Sequence, residues 1–467
     1  MGGFFGCVAR RDCTQDVFYG TDYHSHLGTK RGGLAVGNRE GIKKIIKNIE
    51  NSYFRTKLES EIAGLSGRKG IGVISDTDSQ PLIISSHLGT FAIATVGKIK
   101  NLSEIAQNAF HDKINFSESG ENGINPTELV AMLVSRGSSF ADGLSHAQET
   151  IQGSCSILLM TEKGIFAARD RLGRTPIVIG RKPEAWAASF ETCAFFNLGY
   201  QIEKYLGPGE IVFFDADACT QVKKPGDRMQ ICSFLWVYYG YPASGYEGIN
   251  VEEVRYRCGQ ALARKDTVEI DVVSGIPDSG IGHALGYANE RKVPYCRPFV
   301  KYTPTWPRSF MPQDQESRDL VARMKLIPVR ELIDGKRLLF CDDSIVRGTQ
   351  LKDNIQMLFD AGAKEVHMRT ACPTLIFPCE FLNFSTSRST LDLIGRKVIH
   401  EIEGPDFLEI EKYAVSGSPE NLAMADRVRD RLKVTSLKYQ TLEDLVAAIG
   451  LPKENLCTHC WDGTSCF

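Results

Sequence analysis

The sequence has no run of 18 apolar residues and no charged start leading into an apolar signal core, so neither a membrane span nor a secretory leader is expected. An excess of charge of either sign is also missing. Its 55 basic and 57 acidic residues leave a formal net charge of −2, which argues against a nucleic-acid or membrane-surface partner. Internal repeats and low-complexity tracts are absent as well, which sets aside solenoid arrays and long disordered linkers. What is present suits an ordinary cytosolic enzyme. With 467 residues, 42% hydrophobic and 24% charged, the chain has material for two or three domains with full cores. Cysteine is abundant, at 14 residues, and in a reducing compartment such a count points to metal or cluster ligation more than to disulfides.

The most informative stretch is Leu338 to Thr349, LLFCDDSIVRGT. Leu338 to Cys341 read as a short buried strand, and from Gln350 onward Leu351, Ile355, Leu358 and Phe359 fall on one helical face, with Gly362 suited to a C-terminal cap. The segment between is a strand-to-helix turn at the carboxyl end of a strand, where open α/β sheets bind ligands. Backbone N–H groups of Ile345, Val346, Arg347, Gly348 and Thr349, with the hydroxyls of Ser344 and Thr349, are expected to converge on a phosphate at the helix N-terminus. Asp342 and Asp343 are placed to accept hydrogen bonds from ribose hydroxyls or to hold Mg²⁺. The plainer alternative is a solvated acidic turn before an ordinary helix.

The chain divides near residue 230. Short strands such as Ile71 to Ser75, Phe91 to Val96, Ser156 to Met160 and Ile211 to Phe214 precede that point, separated by helical stretches and glycine-containing turns. Beyond it, strands and helices alternate as in a parallel sheet: Ile270 to Val273, a helix from Ile281 to Arg291, then Leu338 to Cys341 and its helix. The run DVVSGIPDSG, Asp271 to Gly280, is a second strand followed by a small-residue loop that opens a helix and suits an anion. Tyr302 to Arg323, rich in proline, serine, glutamine and charge, is the candidate mobile loop.

DDSIVRGT, followed by GAKEVHMR at Gly362 to Arg369, resembles the phosphoribosyl pyrophosphate signature of type I phosphoribosyltransferases, and in this extended form the amidophosphoribosyltransferase family. The resemblance runs over nearly the whole chain. It implies an N-terminal-nucleophile-like αββα sandwich of the class II glutamine amidotransferase kind over residues 1–230, then a type I phosphoribosyltransferase domain over 231–467. It further implies transfer of phosphoribosyl from phosphoribosyl pyrophosphate to ammonia, the first step of purine synthesis, in a homo-oligomeric dimer or tetramer open to nucleotide effectors. By the same resemblance Pro277, Asp278, Ser279 and Gly280 form a pyrophosphate loop, and Ser279 joins Asp342 and Asp343 as a Mg²⁺ ligand. Arg308, in WPRSF, would close over pyrophosphate as a catalytic residue, with Lys301, Arg323 and Lys325 adding positive charge; taken singly, each also reads as solvated surface charge.

Cys457 and Cys460 form a CTHC pair, a spacing that brings two thiolates to one metal centre, while the sequence alone does not select the other two ligands. The resemblance to an iron–sulfur branch of the family supplies Cys232 in QICSF and Cys379 in FPCEF, and so implies a four-thiolate [4Fe–4S] set. Structural zinc is the alternative, and Cys466 or Cys372 are substitute ligands.

The resemblance fails at the glutaminase chemistry. Family members start with a cysteine nucleophile once Met is removed, and here that position is Gly2. The arginine that holds glutamine's carboxylate is matched by Ser75, the oxyanion asparagine by Val96 beside a retained Gly97, and the acidic partner of glutamine's amine falls on or near Pro126. HRGQEG reads HLGTKRGG, from His26 to Gly33. The expectation is a sandwich that persists without glutamine hydrolysis. Use of His24, His26, Lys30 and Arg31 for another ligand is a further option. Two other functions stand beside ammonia transfer: a phosphoribosyltransferase with another amine acceptor, and a non-catalytic sensor of phosphoribosyl pyrophosphate, nucleotides or redox state.

Overall fold

The computed structural model describes residues 2–120, 123–302, 326–382, 389–405 and 407–464. In the first half, period-two burial builds two antiparallel sheets that stack face to face. The seven-stranded sheet contains Gly2–Ala9 between Lys69–Ser75 and Ala185–Ser189, and the six-stranded sheet contains Gly89–Ile99 beside Gly153–Met160. Neighbouring residues on one strand serve opposite faces. Phe4, Val73 and Leu158 enter the core between the sheets. Phe5 and Ile74 instead pack outward, against helices Thr14–Asp22 and Phe54–Ile62. Leu159 packs outward from the other sheet, in a core shared with helices Leu102–His111, Pro126–Ser135 and Phe140–Thr150. The result is the expected αββα sandwich.

The second half carries a parallel sheet in the order Val272–Gly275, Arg337–Asp342, Glu365–Thr370, Ser436–Tyr439. The expected first strand lies two residues further on than its apolar pattern suggested. Asp271 is occupied by Arg337, whose N–H and guanidinium both donate to its carboxylate, so regular pairing starts at Val272 and continues through Gly275 opposite Cys341. Helices Val251–Arg264 and Ile281–Arg291 cross in direct backbone contact: a Cβ on Gly259 would lie 1.9 Å from the His283 carbonyl oxygen, and one on Gly286 2.1 Å from that of Tyr256. One continuous core joins the halves, with Phe4 and Trp186 of the first clustered with Trp236, Leu375 and Leu445 of the second. Among the described residues no helix is long and apolar enough to cross a membrane.

Candidate active site

The carboxyl edge of the parallel sheet brings together the two loops singled out in the sequence. Ile276 N–H donates to the Cys341 carbonyl at 2.9 Å, and a Cβ on Gly280 would lie 2.3 Å from that same oxygen. Only glycine lets the 276–280 loop lie this close to the strand that ends at Asp342. The Pro277–Asp278 peptide is cis.

Asp342 and Asp343 are both buried, at 9% and 6% exposure. The Asp342 carboxylate accepts the Asp343 N–H at 2.9 Å, and Asp343 accepts the Ser344 hydroxyl at 2.7 Å. Ser279 also donates to Asp343 and so ties the two loops through one carboxylate. Burial, reinforced by the neighbouring Asp343, holds Asp342 well above the usual carboxylate range. Burial also raises Asp343, against hydrogen bonds from Ser279, Ser344 and Asp342 and the charge of Arg255.

The second loop joins strand Arg337–Asp342 to helix Thr349–Asp360. Among the described residues, the N–H groups of Ser344, Ile345, Val346, Arg347 and Gly348 have no protein acceptor. Gly348 sits at φ 73°, immediately before helix Thr349–Asp360, and a Cβ there would meet Ile394 Cδ1 at 2.6 Å. Ile345 is buried in the core, Val346 accepts the Ile394 N–H at 2.7 Å, and Arg347 turns outward to Asp392 at 3.5 Å. Ile355 and Leu358 anchor the helix beneath, as their spacing predicted. Lys301 forms an exposed ion pair with Asp278 on the first loop. Arg308, Arg323 and Lys325, with most of the candidate loop, lie outside the described residues.

Arg255 was not singled out by the sequence. It is 3% exposed, donates to the carbonyls of Trp236 at 3.1 Å, Tyr238 at 3.0 Å and Gly240 at 2.9 Å, and presents its charge to Asp343. A lone arginine in an amphipathic helix reads as surface charge, so no local signal marks it.

The metal assignments require correction. Among the described residues no group of three or more His, Cys, Asp or Glu side chains is placed to hold a metal ion. Cys232, Cys379, Cys457 and Cys460 do line one pocket, with Phe381 and Trp461, but it encloses only about 10 Å³, at most the room of about one water. Its thiols pack against one another: Cys460 is raised well above the usual thiol range by its hydrogen bond with Cys379 and by burial, and burial raises Cys232 and Cys457. The C-terminus is held by other means. Cys232 pairs with Cys457 in a short parallel ladder, and Phe234 stacks on Trp461 with ring centroids 5.7 Å apart. The [4Fe–4S] cluster, its zinc alternative and the iron–sulfur branch are therefore set aside. Cys466 lies outside the described residues, and Cys372 is buried in the core joining the halves. The same finding overturns the Mg²⁺ set of Ser279, Asp342 and Asp343, whose oxygens are engaged with each other and with Ser344.

At the start of the chain, Gly2 pairs with Ser75 across two strands, and a Cβ on Gly2 would lie 2.4 Å from the Ile74 carbonyl oxygen. Ser75 does not point at a ligand: its hydroxyl accepts the N–H groups of Thr77 and Asp78, each at 3.2 Å. Val96 is buried in the core between the sheets. Pro126 opens a helix capped by Asn125, which accepts the Thr127 N–H at 2.9 Å. Beside Gly3 lies a buried polar group built on His24 and His26, which the sequence offered for another ligand, and on Glu191, which it did not single out. His24 donates through Nδ1 to the Gly20 carbonyl at 2.8 Å and accepts the Glu191 N–H through Nε2 at 3.2 Å. The fully buried Glu191 carboxylate pairs with His26 at 3.1 Å and accepts the hydroxyls of Ser244, at 3.0 Å, and Tyr246, at 2.5 Å, from the second half.

An αββα sandwich joined to a parallel sheet with two glycine-containing loops and a buried acidic pair at its carboxyl edge defines a phosphoribosyltransferase-type enzyme built onto a glutaminase-like layer. The model of a glutamine amidotransferase domain matches residues 68–196. An amidophosphoribosyltransferase of Methanocaldococcus jannaschii is 30% identical over 489 aligned positions, covering 99% of this chain and 97% of that protein. One of Mycobacterium bovis is 30% identical over 99% of this chain and 85% of its own length. Among solved structures, the glutamine phosphoribosylpyrophosphate amidotransferase of B. subtilis complexed with ADP and GMP superposes with a TM-score of 0.85 at 28% identity, covering 99% of this chain and 96% of that one. The chain belongs to the amidophosphoribosyltransferase family, and is a phosphoribosyltransferase-type enzyme of it.

Proposed function

We propose that this enzyme transfers the phosphoribosyl group of phosphoribosyl pyrophosphate to ammonia at the first step of purine synthesis, and does not hydrolyse glutamine. Residues 231–467 form the transferase half in this reading, and residues 1–230 a glutaminase-like half without its chemistry. The carrying observation is the Asp342–Asp343 pair set between two anion loops and tied to both of them through Ser279 and Ser344.

In this reading the N–H groups of Ser344 to Gly348 hold the ribose phosphate, and Pro277 to Gly280 hold the pyrophosphate with Lys301 alongside. The carboxylates of Asp342 and Asp343 accept hydrogen bonds from the ribose hydroxyls. The ammonia lone pair forms a bond to the anomeric carbon while the bond to pyrophosphate breaks, its electron pair leaving with the pyrophosphate oxygen. The attacking nitrogen then loses a proton to solvent. Negative charge grows on the leaving group and positive charge on the sugar, so backbone dipoles act at one end and the buried carboxylates at the other. Phosphoribosyl pyrophosphate and an amine are the substrates this site chemistry suits.

Loss of the glutaminase rests on Gly2, which has neither a nucleophile nor room for one, and on Ser75 and Val96, which lie in the interior with no group aimed at an amino acid. The test measures pyrophosphate release by the purified protein with phosphoribosyl pyrophosphate at alkaline pH. Release is expected with ammonium and not with glutamine. Equal release with glutamine would overturn the glutaminase reading, and no release with ammonium the transferase reading.

A further inference from the structure

One short segment of the second half is held from two sides. Residues 235–246 open with a π-helical turn, Leu235–Tyr239, whose carbonyl groups meet two helices. Arg255, in helix Val251–Arg264, donates to the carbonyls of Trp236 at 3.1 Å, Tyr238 at 3.0 Å and Gly240 at 2.9 Å. Val237, between them, accepts from His283 Nε2 at 3.2 Å, in the first turn of helix Ile281–Arg291. Burial keeps that imidazole neutral, and since a carbonyl only accepts, Nε2 carries its proton.

On its other side the segment is clipped to the first half. Glu191 Oε1 accepts the Tyr241 N–H at 3.3 Å and the Tyr246 hydroxyl at 2.5 Å, and its Oε2 accepts the Ser244 hydroxyl at 3.0 Å. Thr192 Oγ1 accepts the Gly245 N–H at 2.8 Å. Glu191, Ser244, Tyr246 and His283 are fully buried, so water does not compete for these bonds.

Helix Ile281–Arg291 carries the constraint to the sheet edge. It starts from Gly280, the last residue of the 276–280 loop, and its crossing with Val251–Arg264 leaves no slack: a Cβ on Gly282 would lie 2.8 Å from Glu252 Oε2 and 3.0 Å from Arg255 Cβ. A shift of the Leu235–Tyr239 turn therefore reaches the loop. Joining two halves does not require this arrangement, since apolar surfaces do so at lower desolvation cost. A buried carboxylate on one side and a guanidinium on the other fix direction as well as contact, because each bond ends on one particular atom.

We propose that Glu191, acting through residues 235–246, is a positioning residue for phosphoribosyl transfer, and that the glutaminase-like half serves the transferase as a brace that sets the 276–280 loop. The inference rests on the reading of that loop as the pyrophosphate site. The test combines amide hydrogen exchange with steady-state kinetics on full-length Glu191→Gln, Tyr246→Phe and E191Q/R255K. In Glu191→Gln, exchange over residues 276–286 should quicken at least about fivefold while strand Gly153–Met160 keeps its protection. KM for phosphoribosyl pyrophosphate, with ammonium as acceptor, should rise about tenfold and kcat stay within about twofold, because the loop grips pyrophosphate before and during reaction alike. Partial unfolding would instead lower kcat and leave KM. Tyr246→Phe keeps the ring, removes one hydrogen bond and should show both effects at about threefold, which preserves the test if Glu191→Gln does not fold. The double variant should be no worse than the weaker of Glu191→Gln and Arg255→Lys, since both loosen one segment. Unchanged exchange over 276–286 in Tyr246→Phe, additive effects in the double variant, or quicker exchange with unchanged KM would each overturn the inference. A parent protein that releases no pyrophosphate with ammonium would overturn the transferase reading, while the exchange comparison would still decide the brace.

Discussion

At the residue scale, a few positions decide what the chain does. Gly348 combines a left-handed backbone with a Cβ direction blocked by Ile394 at 2.6 Å, so Gly348→Ala should displace the loop proposed to hold the ribose phosphate. A loss of about 1–3 kcal/mol in urea stability is expected, with a fall in kcat/KM of at least about tenfold. Asp343→Asn should separate function from stability. It removes an acceptor at the proposed ribose site and should lower kcat by about 100-fold or more, yet the Asp343 charge burdens the buried Asp342, so the melting temperature should hold or rise. A fall of several degrees with unchanged kcat would contradict both parts. Gly2→Cys should not restore glutamine hydrolysis, measured as glutamate release, because its Cβ meets the Ile74 carbonyl oxygen and Ser75 and Val96 remain in place.

At the scale of elements, the second half depends on one buried ionic junction. Asp266, just after helix Val251–Arg264, accepts from the buried Arg369, from Lys438 at 3.0 Å and from Tyr287 at 2.8 Å. One carboxylate thus links that helix to strands Glu365–Thr370 and Ser436–Tyr439 and to helix Ile281–Arg291. These contacts outweigh burial and keep Asp266 below the usual carboxylate range. Asp266→Ala would strand the Arg369 guanidinium, 1% exposed, without its partner. A loss of about 3–5 kcal/mol is expected from the urea midpoint. The sequence showed the strands and helices here through their periodicity, as at Ile355 and Leu358, and failed by two residues at Asp271, where a side-chain partner from another strand set the start of the ladder.

At the scale of the molecule, acid should loosen the packing around a buried histidine in each half. Burial lowers His24 from 6.5 to about 4 and His283 from 6.5 to about 3. A histidine held neutral when folded contributes stability that is complete above pH 6.5 and is lost as pH falls, because the unfolded chain takes the proton first. Glu191 is penalised by burial but brought from 4.5 to about 2 by His26, His24 and Tyr246. Its contribution is present above pH 4.5 and lost as pH falls towards 2. The urea midpoint should therefore be flat above pH 7, fall from 6.5 to 4, and fall further below 4.5. His24→Gln should flatten the first descent, and an unchanged slope would remove His24 from the account.

Local order decided much of this protein. Strand-to-loop-to-helix units, the LLFCDDSIVRGT turn, the alternation that makes Phe4 and Phe5 face opposite ways, and the absence of a nucleophile at Gly2 all follow from residues close together in the chain, where periodicity and turn chemistry act. Tertiary structure decided the rest. It closed the four cysteines into a pocket too small for a metal centre, turned Arg255 from apparent surface charge into a buried neighbour of Asp343, and joined His26 and Glu191 to Ser244 and Tyr246 across the halves. The physical reason is separation along the chain: whether a thiol, a guanidinium or a carboxylate is solvated or paired depends on partners that only the packed fold brings within hydrogen-bonding distance.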